Sequence, residues 1–134
     1  MNIVYMSKEY SLVKEYLLIS LIFVAVDSVY LGLAKNYFDN QVKLIQGSSI
    51  KLNIPATIAC YIFLTVGIYY FVVQKNLSYL ESFALGIFVY GVFDTTTMAI
   101  FKNWKLTSVV MDTLWGGTLF VLVKFLFDKL RYMV

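Results

Sequence analysis

An all-α, polytopic membrane protein is the fold class this sequence predicts: an antiparallel bundle of four transmembrane helices within a single domain, residues 1–134. Three observations lead there. Of 134 residues, 60% are hydrophobic and 14% charged, with a mean hydropathy of +0.76. A soluble domain carries about 25% charged residues and about 45–50% apolar ones. The apolar residues also fall in four long runs, each close to the roughly 20 residues that cross a bilayer core. Finally, Lys8, Lys14, Lys75, Lys102, Lys105, Lys129 and Arg131 flank those runs, as cations anchored among lipid headgroups do.

The first span covers residues 12–33. Lys8 and Lys14 precede it as in a secretory signal. The run exceeds the about 7–15 apolar residues of a signal core and shows no small-residue cleavage site, so it is expected to remain as a helix. The following stretch, "AKNYFDNQVKLIQGSSIKLN", places Tyr37, Phe38, Val42 and Ile45 in a half-apolar pattern. It predicts a separate helix lying at the membrane interface, closed by "GSS". The second span, residues 54–73, opens with Pro55 behind Asn53, an N-cap with proline in the first turn. "QKN" (74–76) leads to the third span, 79–101, and "KNWK" (102–105) to the fourth, 106–127. Connections this short make the last three spans antiparallel neighbours. An even number of spans puts both termini on one side. Six cations on that side against five on the other favour cytoplasmic termini.

The composition excludes several functions. A net charge of +3 with no basic block gives nucleic acid no footprint. Histidine is absent and Cys60 is alone, so neither a Ser-His-Asp triad nor a Cys/His zinc site can be built. No cofactor or metal site is expected, and no disulfide can form within the chain. "LTVGIYYF" (64–71) is similar to the potassium-filter sequence TVGYG. Ile68 and Tyr69 stand where that filter needs tyrosine and glycine, and the segment lies inside a full span.

Three acids inside the spans carry the functional argument. Asp27 lies eight residues before Lys35, Asp94 eight before Lys102, and Asp112 seven after Lys105. At about 1.5 Å per residue, all three sit about 10–12 Å below the membrane face opposite the termini. Their neighbours at helical spacing are polar or small. Tyr90, Gly91, Asp94 and Thr97 share one face, and Ser108, Asp112, Trp115 and Gly116 another. Span one offers Ser20, Asp27 and Tyr30; span two offers Asn53, Thr57 and Tyr61. Turned inward, these stripes make a polar cup, with Gly91 and Gly116 allowing close backbone approach. The candidate ligand-binding residues are therefore Asp27, Asp94, Asp112, Tyr30, Thr57, Tyr61, Tyr90, Thr97 and Trp115.

An aspartate at a helix centre costs about 2.5–3.5 kcal/mol on insertion scales. Lys102 and Lys105 gain more from headgroups than from bending inward. Three carboxyls without a base cannot all be ionised in a dry site, so they share protons, hold a cation or cationic ligand, or admit water. The competing reading is a structural network of carboxyls and hydroxyls tying helices together. For "TTT" (95–97), bonding back to helix carbonyls is favoured over ligation. Trp104 is expected to anchor at the interface and Trp115 to pack. Glu9, Glu15, Asp39, Glu81 and Asp128 are expected to be solvated at span ends.

Phe93-Asp94-Thr95-Thr96-Thr97, Trp104 and Asp112-Thr113-Leu114-Trp115-Gly116 resemble the "YDLTN", tryptophan and "D-x-x-W-G" motifs of a bacterial family of small predicted membrane proteins, domain of unknown function 2177. Asp27 followed by Tyr30-Leu31-Gly32 is similar to that family's "D-x-x-W-L-G". "IPATIACYIFLTVGIYYFVV" is similar to its "P-A-x-x-F-Y" second helix. The order holds across most of residues 20–120, with Phe93, Thr97 and Tyr30 as departures. The resemblance implies a four-helix membrane protein whose motif residues include all three aspartates; it implies no activity.

Three functions then compete. The acids bind a proton, a small cation or a polar ligand, in a carrier or channel-like role. The half of the bundle near the termini is lined by Leu, Ile, Phe and Val, so conduction would need a rearrangement or a homo-oligomer in addition to the lipid bilayer. The second is a membrane enzyme, or an accessory to one, acting on a lipid-like substrate with Asp94 and Asp112 as acid and base; an oxygen-only divalent site belongs with this reading. The third is an assembly protein whose polar contacts set helix pairing.

Overall fold

A computed structural model of the chain describes residues 3–133. It is all helix. Helix α1 runs Ile3–Gln46, α2 Ile54–Gly67 with a π-helical continuation Ile68–Gln74, α3 Tyr79–Ile100, and α4 Leu106–Leu130 with a final 3-10 turn Arg131–Met133. All four are long and apolar enough to cross a membrane. Their outward faces carry large exposed apolar side chains such as Leu21, Phe63, Phe88 and Leu114, suited to lipid.

Each boundary has a local cause. Helix α1 stops at Gly47, whose φ of +76° no β-carbon penalises. Asn53 caps α2 as expected, accepting from the Ala56 amide at 3.1 Å, with Pro55 in the first turn. The α2 ladder widens after Gly67, and the connection turns through Asn76 at φ 49°. Helix α3 begins with a reciprocal cap: Glu81 N–H donates to Ser78 Oγ at 3.1 Å, and Ser78 N–H donates to Glu81 Oε2 at 2.8 Å.

The stretch after the first span departs from expectation. It forms no separate interfacial helix; α1 continues through it for 44 residues in all. That is about 66 Å, twice the about 30 Å hydrocarbon core, so one end projects beyond it. Contacts made by the extension explain the difference. Phe38 faces Trp104, Tyr37 bonds Ser108, and Gln41 is buried. The half-apolar stripe that suggested a surface helix thus covers the start of α4.

Pairs linking α1 to α4 run in opposite chain directions: Tyr37 to Ser108, Tyr30 to Asp112, Asp27 to Trp115, Glu15 to Arg131. Pairs linking α1 to α2 do the same, Asp27 to Tyr61 and Glu15 to Tyr69. Helix α3 packs chiefly on α4. A β-carbon on Gly86 would collide with the Gly116 carbonyl, so this glycine pair sets the approach. Gly116 does admit close packing, but Gly91 meets only the Thr113 methyl at an ordinary 3.4 Å; Gly86 takes the role expected of it.

The core divides in two. Near the termini, Ile19, Phe23, Ile68, Val72, Leu119, Val123 and Phe127 form a dry cluster. Toward the α3–α4 connection the interior is polar, and the aspartates stand there.

Candidate functional site

Asp27 sits in α1, 7% exposed. Its two oxygens are both bonded: Tyr61 Oη donates to Oδ2 at 2.8 Å and Trp115 Nε1 donates to Oδ1 at 3.0 Å. Each donor comes from a different helix, so this carboxylate ties α1, α2 and α4. Trp115, expected to pack and named among the candidate ligand-binding residues, is one of its hydrogen-bond donors. Its ring also lies nearly parallel to Tyr30, centroids 4.5 Å apart at 9°. The Tyr30 hydroxyl in turn donates to Asp112 Oδ1 at 3.2 Å. Asp112 is half-buried.

Asp94 has opposite surroundings. It is 0% exposed, and neither of its oxygens has a hydrogen-bond partner. The Asp112 carboxyl and the Trp104 indole face it. Trp104 Nε1 is likewise buried without an acceptor. The Trp104 ring stacks on Phe38 of α1, which covers this end of the site. An orphaned polar atom in a dry interior costs about 1–3 kcal/mol, more if charged. No ion pair found among the described residues includes Asp27, Asp94 or Asp112.

The acids thus form a line rather than a single cluster. Asp27 connects through Trp115 and Tyr30 to Asp112, and Asp112 faces Asp94. Among the described residues no three Asp, Glu, Cys or His side chains stand close enough to hold a metal ion.

The remaining candidates divide. Thr97 and Thr95 bond back to Phe93 and Gly91 carbonyls at 2.8 and 2.6 Å, the favoured reading of "TTT". Thr57 bonds back to the Asn53 carbonyl at 2.9 Å. Tyr90 packs its ring over Gly116 and edge-on to Phe120. Thr57 and Tyr90 line a cleft that also reaches Asp27 and Tyr61; Thr97 does not line it.

Several polar residues play parts not anticipated. Gln41, 3% exposed, caps α4 from α1: its Oε1 accepts from Lys105 N at 3.1 Å and Ser108 Oγ at 2.8 Å, while its Nε2 donates to the Asn103 carbonyl at 2.6 Å. Glu15 is not simply solvated; it accepts from Tyr69 Oη at 2.8 Å and Arg131 at 3.0 Å. Lys124 is 5% exposed and pairs with Asp128 at 3.2 Å. Asp39 accepts from the Ile50 amide at 2.8 Å, docking the loop after α1, and pairs with Lys43. That backbone bond, then Lys43, holds the Asp39 carboxyl below its ordinary range.

Residues 12–126 match the model of a protein family described as Predicted membrane protein (DUF2177), and the chain belongs to that family, as its motifs suggested. No curated protein and no solved structure matches it.

Proposed function

We propose that this member of the family is a proton-binding integral membrane protein, with Asp94 and Asp112 on facing turns of α3 and α4 as the binding pair. The supporting observation is the Asp94 carboxyl, wholly buried with both oxygens unbonded. Asp27 accepts two hydrogen bonds, as suits a charged carboxylate; Asp94 accepts none, the Trp104 indole is the one donor facing it, and a second carboxyl faces it. Burying an unpaired ion costs several kcal/mol. Two carboxyls that share a site without a base hold a proton between them. The proton removes the charge and turns one acid into a donor for the other. A metal ion is a poorer occupant, because it would require oxygen ligands beyond this pair.

The experiment counts the proton. Unfolding exposes the carboxyl to water, where it ionises at neutral pH. Protein in weakly buffered detergent, unfolded by dodecyl sulfate at neutral pH, should release one more proton per chain than the Asp94→Asn variant does. Equal release from both would overturn the reading.

A further inference from the structure

A cleft of about 400 Å³ runs from the start of α2 into the bundle. Lys51 and Asn53 stand at its mouth, and Leu64 and Tyr90 line its inner part. Eleven residues of α2 separate Asn53 from Leu64, about 16 Å along the helix. Asp27 is the one acidic side chain in its wall. The volume lies within the about 300–1,000 Å³ of small-molecule sites.

The wall chemistry selects a class of ligand. Asp27 accepts one hydrogen bond at each oxygen, and each oxygen keeps a further lone pair. Aromatic rings accompany it: Tyr61 and Tyr90 line the cleft, and Trp115 is bonded to the carboxylate itself. A carboxylate with aromatic rings beside it suits an organic ammonium, which gains both charge attraction and cation–π contact. Ala56 and Leu64 offer apolar contact for its carbon substituents. A bare divalent ion would find a single carboxylate here, and no three metal-ligating acid, cysteine or histidine side chains stand together among the described residues. An anion would meet the Asp27 charge.

We infer that this cleft binds a lipophilic organic ammonium, its charged head at Asp27 beside the Tyr61 and Tyr90 rings and its apolar part along α2. The site is separate from the Asp94–Asp112 pair and stands or falls independently of it. Lys51, at the mouth, opposes entry of a cation by charge.

Equilibrium dialysis tests this, with the full chain in nanodiscs of zwitterionic lipid and empty nanodiscs subtracted. The probe is benzyltrimethylammonium; its neutral carbon isostere, neopentylbenzene, is the control. Saturable binding of the ammonium but not of the isostere is expected. Asp27→Asn should weaken it about tenfold, a loss of about 1.4 kcal/mol. Lys51→Glu, at an exposed position, should strengthen it severalfold. Equal binding of the isostere, no saturable binding, or unaltered affinity in Asp27→Asn would each overturn the inference. If Asp27→Asn does not fold, Lys51→Glu decides: tighter binding supports the site, and unchanged affinity overturns it.

Discussion

Trp115 donates its indole N–H to Asp27 at 3.0 Å, at the level where Tyr61 donates to the other carboxylate oxygen at 2.8 Å. One charged group thereby joins three helices in a region where water is scarce. Asp94, at a similar depth by sequence, accepts no hydrogen bond. Two buried acids therefore have opposite surroundings: one accepts two hydrogen bonds, the other none.

Replacing each with asparagine tests this contrast. In Asp27→Asn the amide oxygen can still accept from Trp115, but the amide N–H group faces Tyr61, whose hydroxyl must turn from donor to acceptor, and both bonds lose their charged partner. A loss of about 1–3 kcal/mol is expected, measurable as reduced resistance to unfolding in detergent. Asp94→Asn replaces a protonated acid with an uncharged amide that can likewise donate to Asp112, so its stability should stay within about 1 kcal/mol of wild type. Equal losses at the two positions would contradict the contrast.

The glycines of the α3–α4 seam differ in the same testable way. At Gly86 an added methyl meets the Gly116 backbone, which has no rotamer to yield. Gly86→Ala should cost about 1–3 kcal/mol by overpacking. At Gly91 the neighbour is a threonine methyl at 3.4 Å, and Gly91→Ala should be tolerated. Thermal unfolding of both variants in the same detergent makes the comparison.

Gln41 holds the start of α4 from a distance of more than sixty residues along the chain. Lys105 provides no side-chain cap, so the amide of Gln41 takes that place. Gln41→Ala strands the Lys105 amide and leaves the Ser108 hydroxyl with Tyr37 alone, with an expected loss of about 1–3 kcal/mol. Amide hydrogen exchange should quicken in the first turn of α4 while the middle of the helix stays protected.

Asp39 predicts a pH response outside the membrane span, past Lys35. Its folded-state pKa is depressed, chiefly by the Ile50 amide. The stability it gives the loop is full above the ordinary aspartate value of about 3.9 and is lost as pH falls through the lower folded value. Exchange at the Ile50 amide should rise in acid in the wild type. In Asp39→Asn the same amide should show no such acid dependence.

How much of this was legible beforehand depends on the range of each interaction. Hydropathy set the four spans, because lipid selects apolar side chains residue by residue. Asn53 and Pro55 marked the start of α2 because their effect is confined to one turn. The inward face of α4 was readable from Ser108, Asp112 and Trp115 recurring at helical spacing. What those side chains would bond was not, since Tyr37, Tyr30 and Asp27 lie 71 to 88 residues away. The extension of α1 was misread for the same reason: Phe38 and Gln41 look amphipathic until Trp104 and Asn103 arrive to cover them. The burial of Lys124 was not legible either, because the packing that covers it is tertiary, although its partner Asp128 sits one turn further on.

The central claim is that Asp94 holds a proton inside the bundle, and infrared spectroscopy reads that state directly. Protein labelled with 4-¹³C-aspartate, in lipid at neutral pH, should show an isotope-shifted protonated-carboxyl C=O band. That band should vanish in Asp94→Asn and persist in Asp27→Asn. A wild-type spectrum without the band, or a band that survives Asp94→Asn, would contradict the account.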